Sequence, residues 1–312
     1  MSKRVTTLLA VGSLALLSGC ASDIGRMTRA LDQHDATIEL TSVPFYAQTT
    51  DQCGPSALAT ILNVTGVDTD PDALRSLTYI PGRQGSLQTE LLSATRSYQR
   101  IPYPIEPTID SLLAELKAER PVLILQNLGT GMTPIWHYAV VVGYRPEDRV
   151  FILRSGDKER HRIKRRPFLR SWKRADYWGF VALRPGDLPA VADAGKYLRA
   201  VAVLESAGDA GTAREAYQAA TEHWPGNALA WLALGNASYA DGDLEAAQRA
   251  YEASVRVDTN SVIAMNNLSQ VYLERGHRND AEATIHSALS MVDADDPLYG
   301  LLQQTAADIT AY

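Results

Sequence analysis

The 312-residue sequence predicts an α+β domain followed by an all-α domain of helical repeats. Helical patterns precede strand patterns in the first half, a segment rich in Pro and Gly follows at 185–189, and Ala, Glu, Gln and Leu then dominate. Charge divides the chain in the same way: 41–187 holds 19 Lys and Arg against 15 Asp and Glu, whereas 195–312 holds 7 against 16. This distribution does not favour nucleic acid as a partner.

The N-terminus has the pattern of an export signal. Lys3 and Arg4 precede an apolar run over 8–17, which is too short to cross a bilayer because a spanning helix needs about 20 apolar residues. The run ends in Leu-Ser-Gly-Cys, and this string, with Cys20 as its last residue, resembles the bacterial lipobox. The resemblance implies a signal peptide over 1–19, cleavage before the cysteine and acylation of its sulfur. An ordinary cleaved signal or an internal apolar helix is the alternative.

Acylation would fix the protein to a membrane through Cys20. The polar segment 20–40 then reads as a lipidated tether with one short helix within it. Ala21 follows the cysteine. In the sorting rule for lipoproteins, Asp at that position retains the protein in the inner membrane. Ala21 therefore favours the outer membrane, with the protein facing the periplasm.

Four helical patterns and four strand patterns follow one another between 41 and 187. The first helix begins at Cys53 and has Pro55 in its first turn, where the missing N–H of proline costs nothing. The later segments are rich in Val, Ile and aromatic residues, which predicts mostly antiparallel strands. The predicted helices cover 53–64, 71–77, 87–98 and 109–117, and the predicted strands cover 121–126, 137–144, 149–154 and 177–183.

Three polar residues in this domain have the pattern of a thiol active site. Cys53 begins a helix, where backbone N–H groups and the helix dipole favour the reactive thiolate. His137 begins a strand, from which a rigid scaffold can place an imidazole beside the thiol as a base. Gln48 precedes the cysteine by five residues, and its amide can donate to an oxyanion together with the Cys53 N–H. The alternative is a small buried cysteine and an ordinary core histidine.

The ordered set of Gln48, Cys53 followed by Gly-Pro, and His137 ahead of an apolar strand resembles the bacteriocin-processing (double-glycine) peptidases, a family of papain-like cysteine peptidases. The resemblance covers about 41–185. It implies a papain-like α+β fold in which Cys53 is the nucleophile, His137 is the base and Gln48 contributes to the oxyanion hole.

One position departs from the pattern of that family. An Asp-Pro usually follows the next strand and orients the imidazole, but this chain has Ser155 nearest that place and Asp157 two residues further on. Serine can accept a hydrogen bond from the ring, but only aspartate would also supply a negative charge. Both residues are candidates for the third catalytic position.

The second half repeats with a period of 34 residues, in units that start near Ala194, Ala228 and Val262. The second unit resembles the tetratricopeptide repeat because it has Trp, Leu, Gly, Ala and Tyr at the matching positions. The resemblance implies three repeats over 194–295 and a capping helix over 296–312. A stack of such repeats usually binds a peptide or a protein partner in its concave groove, and a simple spacer is the alternative. The residues at the matching positions are Trp231, Leu234, Gly235, Ala247 and Tyr251.

These features together predict a membrane-anchored periplasmic cysteine peptidase that cleaves peptide bonds through Cys53 and His137. Its repeats would bind a substrate or partner protein. One alternative is a non-catalytic peptide- or protein-binding lipoprotein that retains the peptidase fold as a clamp, and another is related thiol chemistry on amide bonds of the cell wall. The His, Cys and Asp residues lack metal-binding spacing, so neither a metal nor another cofactor is expected.

Overall fold

A computed structural model describes residues 23–47, 52–83, 85–208 and 210–311. The chain divides into two compact units, Met1–Leu183 with Pro189–Val191 and Arg184–Leu188 with Ala192–Tyr312. The first contains a sheet and helices and the second is all-helical, which confirms the predicted fold class. Cys20 and Gln48 lie outside the described residues, so their roles stay predictions. Within the described part of the chain, no helix has both the length and the apolar character needed to cross a membrane.

The first unit is built on a seven-stranded antiparallel sheet, whose strands are paired in the order β2-β7-β3-β4-β5-β6, with β1 paired to β4. Three of its strands were not predicted, and the first of these has only two residues. The second strand contains two prolines and the sixth has no fully buried residue, so neither shows the alternation that marks a half-buried strand. The strands are β1 Ile38–Glu39, β2 Ile101–Pro104, β3 Val122–Asn127, β4 Trp136–Arg145, β5 Val150–Ser155, β6 Lys158–Lys164 and β7 Gly179–Leu183.

Helix α2 forms the centre of this unit. Every residue from Gly54 to Leu62 is buried, and the helix packs on the sheet face that contains Leu123, Val140 and Phe180. A helix that is apolar on all sides is expected in such a core position. The helices of this unit are α1 over 23–31, α2 Cys53–Val64, α3 Pro71–Thr78, α4 Gln88–Ser97, α5 Ile109–Lys117 and α6 Arg165–Lys173.

The segment interpreted from the sequence as a tether is folded from residue 23 onward. Met27 and Leu31 of α1 are buried, Asp32 forms an ion pair with Arg165, and β1 pairs with β4. Two well-placed apolar side chains are enough to dock a short helix, although the segment as a whole is polar. The short helix expected within this segment therefore lies at 23–31, and residues 23–40 pack on the first unit.

The second unit consists of consecutive helices that begin at the positions given by the 34-residue period. Helices start at Ala194, Ala228 and Val262, and the side chains of Asp193 and Asn227 cap the first two by accepting from the backbone N–H three residues on. Capping of this kind satisfies one of the orphan donors at a helix start. The helices are α7 Ala194–Ser206, α8 Ala210–His223, α9 Ala228–Ala240, α10 Leu244–Val257, α11 Val262–Glu274, α12 Arg278–Leu289 and α13 Tyr299–Ala311.

The close packing of paired helices in this unit provides a stability test. A Cβ atom at Gly235 would lie 2.4 Å from the Tyr251 ring, whereas one at Gly211 would have nothing within 4 Å. We expect Gly235→Ala to lower the free energy of unfolding by about 1–3 kcal/mol through overpacking. Gly211→Ala, the matched control, should raise it by up to ~1 kcal/mol because alanine is the better helix former. Denaturant unfolding measures both, and equal effects would contradict this packing.

Candidate active site

Cys53 is the first residue of α2. The helix has no acidic residue in its first turn, and the side chain of its N-cap, Gln52, makes no capping hydrogen bond. The amide groups and the positive end of the helix dipole are therefore not offset by a carboxylate on the helix itself. Because the Cys53 side chain is only partly buried, this electrostatic environment favours a thiolate that substrates can reach.

Gly54, the residue after Cys53, is a glycine because there is no space for a side chain at the start of α2. A Cβ atom at Gly54 would lie 2.4 Å from Ser86 Oγ and 2.6 Å from Ser86 Cβ, so a side chain larger than hydrogen would collide with the Ser86 segment. Among the described residues, Ser86 Oγ is buried without a hydrogen-bond partner. Gly54 thus lets the Ser86 segment approach the start of α2 and form one wall of the site.

Cys53 lines a cleft of about 560 Å³. One part of its surface is apolar and includes two aromatic side chains from the start of β4, while a basic and an acidic residue provide charge. A cleft of this size and character accommodates a short stretch of polypeptide. Its other lining residues are Arg83, Gly85, Ser86, Leu87, Gln88, Leu125, Trp136, Tyr138, Ala175 and Asp176.

Tyr138 of β4 belongs to the core cluster against which Cys53 packs. Its hydroxyl donates to the Ser86 carbonyl oxygen at 3.3 Å, and its ring packs edge-on to Trp178 with centroids 6.0 Å apart. Burial raises the pKa of Tyr138, and the nearby charge of Cys53 adds to this effect. The phenol therefore stays protonated and bonded, and the thiol lies within electrostatic range of the strand that holds His137.

His137 is half-buried and is the second residue of β4, preceded by Trp136 and followed by Tyr138. Its Nε2 lies 2.8 Å from Ser155 Oγ at the end of β5, so the structure brings these two predicted residues together. Burial lowers the pKa of His137, and the neighbouring His161 lowers it further. The imidazole is therefore neutral at neutral pH, which is the state required of a general base.

Residues 40–179 match the protein family described as Peptidase_C39 like, and residues 204–265 match the tetratricopeptide repeat. The chain carries a C39-like peptidase domain followed by tetratricopeptide repeats. This confirms both resemblances drawn from the sequence motifs. No curated protein sequence matches the chain.

Solved structures resemble separate parts of the chain. A C39-like peptidase from Bacillus anthracis has a TM-score of 0.39 and 17% identity, over 47% of this chain and 98% of its own. The type III secretion chaperone SycD of Yersinia enterocolitica, in complex with a peptide of the translocator YopD, has a TM-score of 0.35 and 16% identity, over 38% of this chain and 92% of its own. PcrH from Pseudomonas aeruginosa has a TM-score of 0.34 and 21% identity, over 38% and 91%.

Asp157, the other candidate for the third position of the C39-like domain, lies in a different environment from Ser155. It is exposed in the tight turn between β5 and β6, beside Gly156, whose φ is +62°. Its charge raises the pKa of His161, although burial and Lys158 lower that pKa more strongly. The hydrogen bond that the structure shows for His137 is between its Nε2 and Ser155 Oγ, so the carboxylate of Asp157 acts on the ring only at a distance.

Arg154 is a site-supporting residue of the C39-like domain that the sequence interpretation missed. Its guanidinium is buried and donates to the carbonyl oxygens of Val43 at 2.8 and 3.1 Å, Thr41 at 3.4 Å and Glu159 at 2.6 Å. Burial lowers the pKa of Arg154. This side chain ties the end of β5 to the segment that leads toward Cys53. The sequence did contain a signal, since an arginine inside the apolar run over 150–154 must find partners when buried.

The described residues contain no group of His, Cys, Asp and Glu side chains that could hold a metal ion. What the site does offer is a thiol that begins a helix and lines a cleft, and a neutral imidazole held by a hydroxyl. Trp136 and Tyr138, the residues on either side of His137, line the cleft with Cys53, but His137 itself is not among the lining residues. These groups have the chemistry required for nucleophilic attack on a carbonyl carbon followed by proton transfer to a leaving group.

Proposed function

We propose that this protein is a cysteine peptidase of the bacterial cell envelope, anchored to a membrane by acylated Cys20. The observation that supports it best is the hydrogen bond of His137 to Ser155 in a C39-like domain whose Cys53 begins a helix and lines a cleft. The alternative of a non-catalytic clamp is an outcome that the activity experiment below can reveal.

The proposed reaction has two halves. The Cys53 sulfur attacks the carbonyl carbon of a peptide bond after its proton passes to His137, and the oxyanion accepts from the Cys53 N–H and the Gln48 amide. His137 then gives that proton to the leaving amine, which breaks the C–N bond and leaves a thioester. Water attacks the thioester with His137 as the base, the acid product leaves, and the thiol is restored.

Ser155 orients the imidazole in this scheme. When Nε2 carries the ring proton and donates to Ser155 Oγ, the lone pair lies on Nδ1, and this nitrogen is the one that accepts the thiol proton. A hydroxyl holds the ring in this orientation, but it can donate as well as accept, so it does not fix the tautomer as a carboxylate would, and it adds no negative charge to stabilise an imidazolium. We therefore expect a slower enzyme than one with aspartate at this position.

The repeats are proposed to hold a protein segment. A small groove of about 240 Å³ is lined by Asn236, Tyr239, Tyr251, Asn267 and Gln270. The Asn236 side-chain oxygen accepts from the Tyr251 hydroxyl at 2.9 Å and from the Asn267 amide at 3.0 Å, which orders this polar surface. Amide side chains suit the polar backbone of a peptide, and the acidic second half favours a basic segment.

The proposed anchor is tested by cell fractionation. Cys20→Ala removes the acylated sulfur, so we expect the protein to leave the membrane fraction and to accumulate as precursor or as soluble periplasmic protein. Cys53→Ala, which removes the only other cysteine, is the matched control and should stay in the membrane fraction. Recovery of a membrane-bound, acylated Cys20→Ala protein would exclude the lipoprotein assignment.

A further inference from the structure

The loop between β3 and β4, residues 128–135, carries an unusual group of exposed apolar side chains. Met132 is 94% exposed, Ile135 is 61% exposed and Leu128 is 49% exposed, and Trp136 directly after the loop is 54% exposed. Single exposed apolar residues are ordinary, but a contiguous group marks a surface that contacts something other than water. Elsewhere among the described residues of the first unit, the exposed large apolar side chains are Val64, Leu77 and Val191.

This loop has a defined shape. The buried side chain of Asn127 fixes the base of the loop. Its oxygen accepts from the backbone N–H groups of Gly129 and Ile135, and its amide donates to the Thr130 carbonyl oxygen. The hydroxyls of Thr130 and Thr133 lie 2.8 Å apart across the turn. The apolar side chains are thus presented to the outside by an ordered hairpin.

The first described residues of the chain lie at the same end of the unit as the base of this loop. Asp23 accepts from the Tyr177 hydroxyl at 2.7 Å and lies 3.5 Å from Lys173 Nζ. Arg174, which follows Lys173 in the chain, donates to the Asn127 carbonyl oxygen at 2.7 and 3.0 Å. The C-terminal end of α6 therefore joins the start of α1 to the loop. Cys20 precedes Asp23 by three residues, and such a segment spans at most about 11 Å.

The charges around this junction sum to only +1, because Arg26, Lys173 and Arg174 outnumber the carboxylates of Asp23 and Asp176 by one, and this small excess is compatible with an anionic surface. Arg26 and Lys173 both lie against the carboxylate of Asp23, with Arg26 74% exposed, and Arg174 adds a third cation at the base of the loop. Basic residues beside exposed aliphatic side chains and a tryptophan are typical of segments that lie in the interface of a bilayer. The cleft is next to this junction, because Trp136 and Asp176 line it.

We propose that the loop 128–135 docks on the surface of the membrane, with Met132 and Ile135 inserted among the lipid headgroups. This places the mouth of the cleft at the bilayer, so the substrates are polypeptide segments that emerge from the same membrane or lie on it. The inference rests on the proposed peptidase function and on the anchor at Cys20, since the anchor brings this end of the unit to the lipid. A hydrophobic loop of this kind supplies the second attachment that stabilises a lipidated protein on a bilayer.

Vesicle flotation of the full mature chain with Cys20→Ala tests the loop without an acyl group. We expect this protein to bind vesicles of phosphatidylglycerol and phosphatidylethanolamine reversibly at about 1 mM lipid, and to dissociate when membranes are diluted and washed during cell fractionation. Adding Met132→Ser and Ile135→Ser should lower the partition coefficient by about tenfold or more, because apolar surface no longer leaves water. Both side chains are exposed, so the thermal midpoint should not change.

Val64→Ser is the matched control, since Val64 is an exposed apolar residue at the end of α2 opposite Cys53, roughly 17 Å away along the helix. It should leave partitioning unchanged. Absence of vesicle binding by the unacylated chain, or equal binding by the double variant, would overturn the docking loop. A double variant with unchanged partitioning and a raised KM for a soluble peptide would assign the loop to substrate instead. Fractionation of Cys20→Ala in cells tests the anchor separately, so the two ideas can fail independently.

Discussion

Cys53→Ala should abolish cleavage of a peptide substrate, and His137→Ala should lower kcat/KM by about 10³-fold or more. The first variant removes the only nucleophile of the proposed reaction, and the second removes the group that takes and returns its proton. Cleavage of an internally quenched peptide, followed by mass spectrometry of the products, measures both. Neither variant should lower the thermal midpoint by an amount that explains its loss of turnover.

The reactivity of the Cys53 thiol, measured with and without His137, distinguishes a peptidase from a non-catalytic clamp. In the acylated mature protein Cys53 is the remaining thiol, and its helix position should keep alkylation fast below the ordinary cysteine pKa of about 8.5. His137→Ala should slow this low-pH alkylation. A protein that alkylates in this way but cleaves no peptide would be a non-catalytic binder with the peptidase fold. Ordinary thiol reactivity that is unchanged in His137→Ala would rule out the catalytic pair.

The pH dependence of cleavage follows from the state of His137. Burial and His161 lower the pKa of His137 from its ordinary value of 6.5, and a general base must be unprotonated. Activity should therefore be retained as the pH falls to 6.5 and be lost only below it. An acid limb of the kcat/KM profile that lies above pH 6.5 would show that His137 is not a neutral base.

Ser155 at the end of β5 and Asp157 in the turn that follows provide a matched comparison. Ser155→Ala removes the hydroxyl that contacts His137 Nε2, so turnover should fall by roughly tenfold, the value of one hydrogen bond. Asp157→Ala removes an exposed charge in the adjacent turn and should change turnover little. The opposite order of effects would assign the orienting role to Asp157.

The sequence was most informative where a local pattern and a tertiary role coincide. Cys53 begins a helix because Pro55 suits its first turn, and the same position makes its thiol reactive, so one short string indicates both structure and chemistry. The helical period predicted the starts at Ala194, Ala228 and Val262 for a similar reason, since close packing between paired helices requires small residues at fixed positions.

Features that depend on distant partners could not be predicted in this way. Strand β6 has no fully buried side chain and is held in place by backbone pairing with β5, so its sequence, rich in Lys and Arg, looks like that of a loop. Ser155 was selected as a candidate only by its distance from His137 along the family pattern. The sequence could not choose between it and Asp157, because the direction of a side chain at a strand end depends on the turn that follows.

Arg154→Met should lower the free energy of unfolding by about 3 kcal/mol. The substitution keeps most of the side-chain volume but leaves the carbonyl oxygens of Val43 and Glu159 without the donor that satisfies them. Each buried acceptor without a partner costs about 1–3 kcal/mol, and relief from burying the guanidinium charge offsets part of the sum. Arg154→Lys keeps the charge but has fewer, differently directed donors, so its effect should be intermediate.

The effect of Arg154 should reach the active site as well as the fold. Its contacts fix the segment over 41–43, which precedes the thiol, so the geometry around Cys53 should loosen when they are lost. We expect kcat of Arg154→Met to fall by about tenfold at temperatures where the variant is fully folded. Arg145→Met is the control, because Arg145 forms a partly exposed ion pair with Glu147 of the kind worth about 0–1 kcal/mol. Urea unfolding and peptide cleavage measure the two effects, and a midpoint for Arg154→Met equal to that of Arg145→Met would show that the buried guanidinium does not hold the site together.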